Sequence, residues 1–409
     1  MTNAFTPSGL ALRAQWTLAL LQLISWGSFF YAFSVLALPM EIELGWSRPA
    51  IMMAMSLSLI VAGLLAPAVG HGIDGGHGRS VMTFGSILGA AMLLLWSQAS
   101  AKPFLYAAWI GLGIAQAMTF YDAGFAALTR RLGEGAPRAI MRMTLLGGFA
   151  GTVFIPLTGW LVDIWGWRSA LMTLAAINIG IAAPLHWIVL AGGSSEPAHA
   201  AERVTTAGVW IDALRQRAFW MLVVTFCTWS LAFGALTFHF LPMLAERGIS
   251  DVVGIALLAS VGPLQIAGRV GLMLYRGAVP ARFLGRMLTV MLVAAILTLY
   301  AAGANIWLIG AGVALYGTAN GMVTILRGIA VAEYLGVVGF GRKSGMISAI
   351  NGFALALAPY VAGLLWNGGG YGLVLGGLAA AAAIGALAFW SLPAVAQARA
   401  SATASAPAD

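Results

Sequence analysis

Stretches of about 20 apolar residues, separated by short segments rich in charges, proline and glycine, recur along the whole sequence. A helix needs about 20 apolar residues to cross a bilayer. Charged residues make up only 8% of the chain, against roughly a quarter in a soluble domain. We therefore predict an all-α membrane protein with twelve transmembrane helices, near residues 14–38, 50–70, 80–98, 103–127, 140–162, 168–191, 217–244, 252–275, 283–302, 306–328, 342–365 and 370–392.

The positions of the basic residues predict the orientation of these spans, because loops on the cytoplasmic side carry an excess of lysine and arginine. With both termini inside, only four basic residues face outward: Arg48, Lys102, Arg168 and Arg247. Sixteen face inward: Arg13, Arg79, Arg130, Arg131, Arg138, Arg142, Arg203, Arg215, Arg217, Arg276, Arg282, Arg286, Arg327, Arg342, Lys343 and Arg399. The asymmetry supports an even number of spans and cytoplasmic termini.

The longest polar interruption, residues 192–216, separates six predicted spans from six. Gly45-Trp46-Ser47 before the second span resembles Gly248-Ile249-Ser250 before the eighth, as expected of a duplicated unit. We predict two pseudo-symmetric six-helix bundles at 1–191 and 217–393, a cytoplasmic linker at 192–216 and a disordered tail at 394–409. Carriers built from parallel repeats bind their solute near the bilayer midplane.

The formal net charge of +8 would suggest nucleic acid as a partner of a soluble protein. Here it follows from the orientation of the spans, so we expect no nucleic acid. The sequence contains no phosphate-binding loop and no metal-ligand spacing, which predicts no cofactor and no enzymatic activity. Cys227 is the single cysteine, so folding needs no disulfide. The alanine-, glycine- and arginine-rich composition indicates a bacterium, and hence its inner membrane.

A glycine-rich motif, GHGIDGGHGRS at 70–80, lies between the second and third spans. It resembles the loop motif of the major facilitator superfamily at Gly70, Asp74, Gly78 and Arg79, and lacks two of the pattern's basic residues. The resemblance covers almost the whole chain and implies alternating access, with this motif as a conformational latch in which the aspartate pairs with cytoplasmic arginines. An ordinary tight turn is the alternative interpretation.

Within the superfamily, the segment ELGWSR at 43–48 and the end of the eighth span look most like the oxalate/formate antiporter and monocarboxylate porter group. The resemblance implies that Arg269 binds the substrate carboxylate, to which a guanidinium can donate two parallel hydrogen bonds. Gln265 lies one turn earlier on the same face. Alternatively, Arg269 reaches the cytoplasmic interface near Arg276 or pairs with an acid.

The dicarboxylate antiporters of that group also use a lysine in the eleventh span, but residues 348–352 contain none. A single cation suits a monoanion better than a dianion. Asn351 in this stretch is a candidate binding residue, together with Asn320, Tyr31 and Gln22. Ser25, Gln116, Thr119, Tyr316 and His239 are further polar residues of predicted spans. Each of these side chains is equally consistent with a hydrogen bond between helices.

Asp122 is the one carboxylate well inside a predicted span. It is either a proton carrier, because burial raises and a nearby arginine lowers a carboxyl pKa, or a structural partner of Arg142 or Arg269. The sequence leaves both readings open.

We predict a monomeric secondary transporter of a small organic anion such as a monocarboxylate, by proton coupling or exchange. An exporter of hydrophobic or neutral solutes would instead use Asp122 with Trp26, Phe29, Phe30 and Trp229. A non-transporting membrane sensor is the alternative of another class.

Overall fold

The computed structural model describes residues 9–46, 48–191, 206–275 and 279–393. Arg276, most of the predicted linker and the predicted tail lie outside this range. The helices are α1 Gly9–Trp26, α2 Ala32–Leu44, α3 Arg48–Gly72, α4 Gly78–Ser97, α5 Lys102–Thr119, α6 Tyr121–Leu132, α7 Ala136–Gly147, α8 Ala150–Ile177, α9 Ala183–Val189, α10 Thr206–Arg215, α11 Arg217–Glu246, α12 Asp251–Leu274, α13 Ala281–Ala301, α14 Ile306–Leu335 and α15 Phe340–Trp390.

Nine helical segments of the described residues are long and apolar enough to cross a membrane. Three of them, Met53–Ser97, Ala136–Val189 and Phe340–Trp390, contain 45, 54 and 51 residues, about twice what one crossing needs. Each of the three contains a glycine with positive φ, namely Gly76 (92°), Gly166 (78°) and Gly370 (66°). Dividing the segments at these kinks gives twelve spans, and the fold is an all-α membrane protein.

Large apolar side chains point outward along these helices, as lipid-facing surfaces require. Trp307, Leu274 and Leu387 are each at least 70% exposed. Small residues are concentrated instead where helices meet. A Cβ at Gly113 would lie 2.5 Å from the Ser58 carbonyl oxygen, so only glycine lets α5 approach α3 this closely.

The chain divides into two compact units, Met1–Glu202 and Arg203–Asp409. In the first unit, α5 packs on α3 and α4, and α7 packs on α1. In the second, α14 packs on α12 and α13, and α15 packs on α11. In the first unit the fourth span thus packs on the second and third spans. In the second unit the tenth span packs on the eighth and ninth in the same way. The same pairs of spans pack in each unit, which is the pseudo-symmetry expected of two six-helix bundles.

One element lies within the predicted linker. Residues Thr206–Arg215 form α10, which packs on α11 and α15 of the second unit. Its Asp212 lies 3.9 Å from the ammonium of Lys343, a residue that is 5% exposed and also donates to the Leu335 carbonyl oxygen. These contacts fasten the end of the linker segment to the unit that follows it.

Candidate functional site

Arg269 lies inside the second unit, in the last two turns of α12, and is only 7% exposed. Its Nε donates to the carbonyl oxygen of Gly321 on α14, at 2.7 Å. A Cβ at Gly321 would overlap the Gln265 carbonyl oxygen, so the glycine allows the two backbones to meet here. Gly268 makes the same kind of approach, because its Cβ would lie 2.6 Å from the Thr318 carbonyl oxygen. Close packing of α12 on α14 therefore encloses the guanidinium.

Asn320 and Asn351 are buried amides of this unit, 9% and 6% exposed. The Asn320 Oδ1 accepts a hydrogen bond from the Trp229 Nε1 at 3.1 Å. The Asn351 Oδ1 accepts from the Cys227 Sγ at 3.2 Å. Two residues of α11 thus fix the orientation of both amides.

Four of the predicted binding residues belong to this unit, and three of them converge. Arg269 bonds to the residue that follows Asn320, and Gln265 lies against that same residue through its backbone. Asn351 on α15 is bonded instead to Cys227, which lies two residues before Trp229 on α11 and therefore on a different side of that helix. We call Gln265, Arg269 and Asn320 the C-terminal polar cluster.

Gln22 and Tyr31 occupy the first span of the first unit. Gln22 is fully buried, and its Nε2 donates to the Thr119 carbonyl oxygen at 2.7 Å. Tyr31 lies in a group of aromatic rings with Trp26 and Phe30, at centroid distances of 6.4 and 5.3 Å, and against Gly151. Gln22 therefore links the first span to the fourth. Tyr31 is half-buried.

Three helices of the first unit are irregular at the same place. The fourth span breaks at Phe120, where φ is −76° and ψ is −173°, and Phe120 stacks on Trp26 with the ring centroids 4.0 Å apart. The first span contains a π-helical turn directly after Trp26. The fifth is interrupted after Gly147, which lies against Gln22 and the Tyr121 hydroxyl. Irregular backbone at membrane depth is tolerated where it is buried in protein or lines a cavity, and it often marks functional sites.

Asp122 lies directly after this break, in the first turn of α6, and is half-buried. A helix amino terminus stabilises a carboxylate there. Arg142, its predicted partner, donates through Nη1 to the Oε1 of Gln15 on α1 at 2.5 Å, and Gln15 is 4% exposed. No local signal in the sequence indicates the break, since neither glycine nor proline stands at 119–121.

The glycine-rich motif lies at the end of the first unit where α3 turns into α4. Gly70 is buried near the end of α3, and Gly78 begins α4. Asp74 accepts a hydrogen bond from Arg130 on its backbone carbonyl. A Cβ at Gly76 would lie 3.0 Å from the Nη2 of that arginine. Arg130 thus meets the motif through the backbone of Asp74, and the glycine with positive φ makes room for the guanidinium.

Arg79, the last matched residue of the motif, contacts the end of α9. Its Nε donates to the Trp187 carbonyl oxygen at 2.9 Å, and its guanidinium stacks 3.5 Å from the Trp187 ring centroid. Arg131 donates to the Val189 carbonyl oxygen at 2.6 Å. Both cations satisfy carbonyl groups that a helix end leaves without partners.

A further polar group, at the opposite end of this unit, is not predicted by the sequence. Glu43 accepts from the Trp167 Nε1 at 2.6 Å and from Arg168 at 2.5 Å, and Arg168 also donates to the Ala99 carbonyl oxygen. The ends of the first and third spans and the start of the sixth are joined there. Glu43 belongs to the ELGWSR segment, so that segment has a structural function within the unit.

Two compact helical units, each with polar residues held between membrane spans, are an architecture found in proteins that carry small solutes across membranes. A sequence model of the Major Facilitator Superfamily matches residues 18–286. The chain belongs to this superfamily, whose members are transporters and not enzymes.

Two curated relatives give similar matches. Monocarboxylate transporter 13 of Rattus norvegicus is 29% identical over 268 residues, which are 63% of this chain and 60% of that protein. An uncharacterized MFS-type transporter of Bacillus subtilis strain 168, YcxA, is 25% identical over 253 residues, 60% of each chain. The matched region thus spans about three fifths of each relative.

Solved structures match over nearly the full length and show the fold. The human organic anion transporter MFSD10 has a TM-score of 0.72 at 15% identity, covering 93% of this chain and 99% of its own. The Escherichia coli fucose:proton symporter FucP has a TM-score of 0.70 at 14% identity, covering 95% and 100%. The proton:xylose symporter XylE has a TM-score of 0.72 at 11% identity, covering 93% and 96%.

Proposed function

We propose that this transporter carries a small organic anion, a monocarboxylate, by alternating access, coupled to protons or in exchange. The observation that carries the proposal is Arg269, a cation that is 7% exposed within a membrane span. Charged residues at membrane depth are costly and are retained for function. A guanidinium is also the side chain best suited to bind a carboxylate, because it donates two parallel hydrogen bonds.

Two features favour a monoanion. The C-terminal polar cluster contains one cation and the neutral amides of Gln265 and Asn320, and residues 348–352 of the eleventh span lack a lysine. A second carboxylate would have no cation of the cluster to neutralise it. The relative named monocarboxylate transporter 13 supports the same substrate class.

The alternative function, export of hydrophobic solutes, is less well supported than anion transport. The aromatic side chains that an exporter would need already have packing partners. Trp26 stacks on Phe120, Phe29 is 1% exposed, and Trp229 donates to Asn320. These rings pack inside their own units. A sensor without transport would share the same binding residues and is distinguished by the absence of flux.

The basic residues support a proposed orientation in which both termini are cytoplasmic. The composition of the chain supports the proposal of a bacterial inner membrane. We propose a monomer as the working unit. Both termini lie outside the described residues.

The test is exchange of labelled monocarboxylates in proteoliposomes, with Arg269→Ala and Arg269→Lys compared with the wild-type protein. We expect Arg269→Ala to lower anion exchange at least tenfold, because a desolvated charge-assisted hydrogen bond is worth about 1.5 to 3 kcal/mol. Arg269→Lys should restore only part of the rate, since an ammonium cannot bind bidentately.

Arg286→Ala is the matched control, because Arg286 is a half-buried arginine of the same unit that lies over the Trp390 ring. It should retain exchange. Undiminished anion exchange in Arg269→Ala would refute the carboxylate site, and efflux of cationic dyes without any anion flux would favour the exporter.

A further inference from the structure

His239 joins three segments of the second unit near the end of α11. Its Nε2 lies 3.0 Å from the carbonyl oxygen of Pro359, in the first half of α15. Its Nδ1 lies 3.2 Å from the hydroxyl of Tyr371, which directly follows the turn at Gly370. The imidazole is half-buried, and Tyr371 is 8% exposed. One side chain of the seventh span thus bonds to both the eleventh span and the start of the twelfth.

The two partners of His239 fix the form of its neutral ring. A carbonyl oxygen only accepts hydrogen bonds, so the Nε2 carries the hydrogen and donates it to Pro359. The Nδ1 is then an acceptor, and the Tyr371 hydroxyl donates to it. A hydroxyl can turn and accept instead, so Tyr371 also suits a ring with a second hydrogen on Nδ1. Both charge states of the ring therefore have a hydrogen-bond partner at each nitrogen.

A second histidine, His186, lacks this property. It lies on α9 of the first unit and is fully buried, with its Nδ1 2.9 Å from the Ser86 hydroxyl. Its Nε2 makes no hydrogen bond to any described residue. A charged ring there would bury an N–H group without an acceptor, which is costly. Of these two imidazoles, His239 is the one whose surroundings accommodate a second proton.

The helices packed against α11 bring few titratable side chains to the level of His239. On α15 these are Tyr371 and Tyr360, and Tyr360 is 66% exposed. On α14, Tyr316 shares a cavity lining with Phe240, the neighbour of His239. The sequence of α12 has no titratable residue from 252 to 268. The helix α10 packs near the other end of α11, where the Trp220 Nε1 donates to the Leu214 carbonyl oxygen.

The charged groups on α11 itself lie beyond His239, at the end of the helix. Glu246 is exposed and accepts from the Trp366 Nε1 at 2.7 Å, and Arg247 donates to the Leu299 carbonyl oxygen. Glu246 follows His239 by seven residues, or about 10.5 Å along the same face of the helix. An exposed negative charge there attracts protons toward this face.

The helix that carries His239 also contributes a donor to the polar cluster. Trp229 lies ten residues before His239 on α11, about 15 Å along the helix, and donates to Asn320. Between the two, α11 packs tightly on the eleventh span, because a Cβ at Gly234 would lie 2.7 Å from the Ala358 Cβ. A change of charge at His239 therefore acts on a pair of helices that also reaches the polar cluster.

Resting on the proposed proton-coupled transport, we propose that His239 binds the coupling proton. The proton adds to the lone pair of Nδ1, and the Tyr371 hydroxyl turns so that its oxygen accepts the new N–H. The bond from Nε2 to the Pro359 oxygen is kept throughout. Release of the proton reverses these steps, while Arg269 binds the anion.

The test measures transport of labelled formate, lactate and pyruvate in proteoliposomes that contain a pH-sensitive dye, with the leak of protein-free liposomes subtracted. His239→Gln keeps an N–H group for the Pro359 oxygen but cannot take up a proton. His239→Lys carries a positive charge throughout pH 5 to 8. His186→Gln is the matched control, because it removes the imidazole of the first unit.

In the wild-type protein we expect a proton to move with the transported anion, and exchange to slow as the pH rises from 5 to 8, the range in which histidine loses its charge. His239→Gln should lose the substrate-driven proton movement, and His186→Gln should keep it. His239→Lys should exchange anions at a rate independent of pH and move no protons. Tyr371→Phe should shift the pH dependence of exchange to lower pH, because the charged ring loses a charge-assisted hydrogen bond.

Proton movement in His239→Gln equal to that of the wild-type protein would overturn the proton site, and so would wild-type exchange without any proton movement. In both cases the anion site at Arg269 would stand. If His239→Gln failed to fold, pH-dependent exchange by His239→Lys would overturn the proposal instead. If the wild-type protein transported none of the three acids, both proposals would be wrong.

Discussion

Trp229 and Cys227 lie two residues apart on α11, and each donates to the amide oxygen of a buried asparagine. An asparagine amide can turn either its oxygen or its nitrogen toward a neighbour. Here the two donors of α11 bond to the amide oxygens, which fixes the orientation of each amide. The amide nitrogens then remain as the donors that an anion would need. Trp229 thus orients the amide of Asn320 in the polar cluster, and Cys227 orients that of Asn351 in the eleventh span.

Replacing Trp229 by phenylalanine tests this arrangement. The ring volume is largely kept, but the Asn320 oxygen loses its donor inside the unit. We expect a loss of about 1 kcal/mol in stability, since hydrogen bonds between membrane helices are worth about 0.6 to 2 kcal/mol. The melting temperature in detergent should fall measurably, whereas Trp160→Phe, at a position 54% exposed, should leave it unchanged. A fall of equal size in both variants would contradict the role of the hydrogen bond.

Asp122 gives a second prediction at this scale. Its position in the first turn of α6 stabilises negative charge, which favours the structural interpretation over proton transfer. We expect Asp122→Asn to lower thermal stability and to leave the number of protons moved per substrate unchanged. Proton movement and substrate exchange are measured together in proteoliposomes. If exchange persisted while proton movement disappeared, Asp122 would be the proton carrier.

At the scale of the helices, α12 and α14 meet through glycines, and this contact decides where Arg269 lies. Gly321→Ala would drive a methyl group into a carbonyl oxygen of α12. We expect a destabilisation of about 1 to 3 kcal/mol, the usual cost of overpacking, and a loss of exchange because the acceptor of Arg269 moves. A Cβ added at Gly310, on the same helix, would have no neighbouring atom within 4 Å, so Gly310→Ala should be neutral. Thermal unfolding and exchange of both variants decide this prediction.

Hydropathy and charge predicted the spans because lipid imposes one requirement on every crossing segment, a length of apolar helix. For the same reason, the turns at Gly76 and Gly166 lie between predicted spans, and the turn at Gly370 lies at the first residue of the predicted twelfth span. The break at Phe120 could not be predicted, because it is set by stacking on Trp26 and by the Gln22 amide taking up the Thr119 carbonyl. These are contacts between distant parts of the chain and leave no local pattern. Arg269 was singled out by the resemblance to the porter group, but its acceptor, a backbone carbonyl, has no signature in the sequence.

On the scale of the whole molecule, the predicted orientation is open to direct test. Cys227→Ser retains a donor for Asn351 and gives a background without cysteine. Lys102→Cys and Arg138→Cys then place single thiols at exposed positions on opposite predicted sides. In intact cells with a permeable outer membrane, an impermeant maleimide should label only Lys102→Cys, and Arg138→Cys should react after lysis. The reverse pattern would place the termini outside.

The first unit is fastened at both of its ends. At one end, Arg79 and Arg131 hold the last turn of α9, and Arg130 holds the turn at Asp74. At the other end, Glu43 accepts hydrogen bonds from Trp167 and Arg168. The third and sixth spans are bonded to each other at both ends, through Arg79 to Trp187 and through Arg168 to Ala99, so these two spans resist separation. In mechanical terms, these two spans form a rigid strut within the first unit.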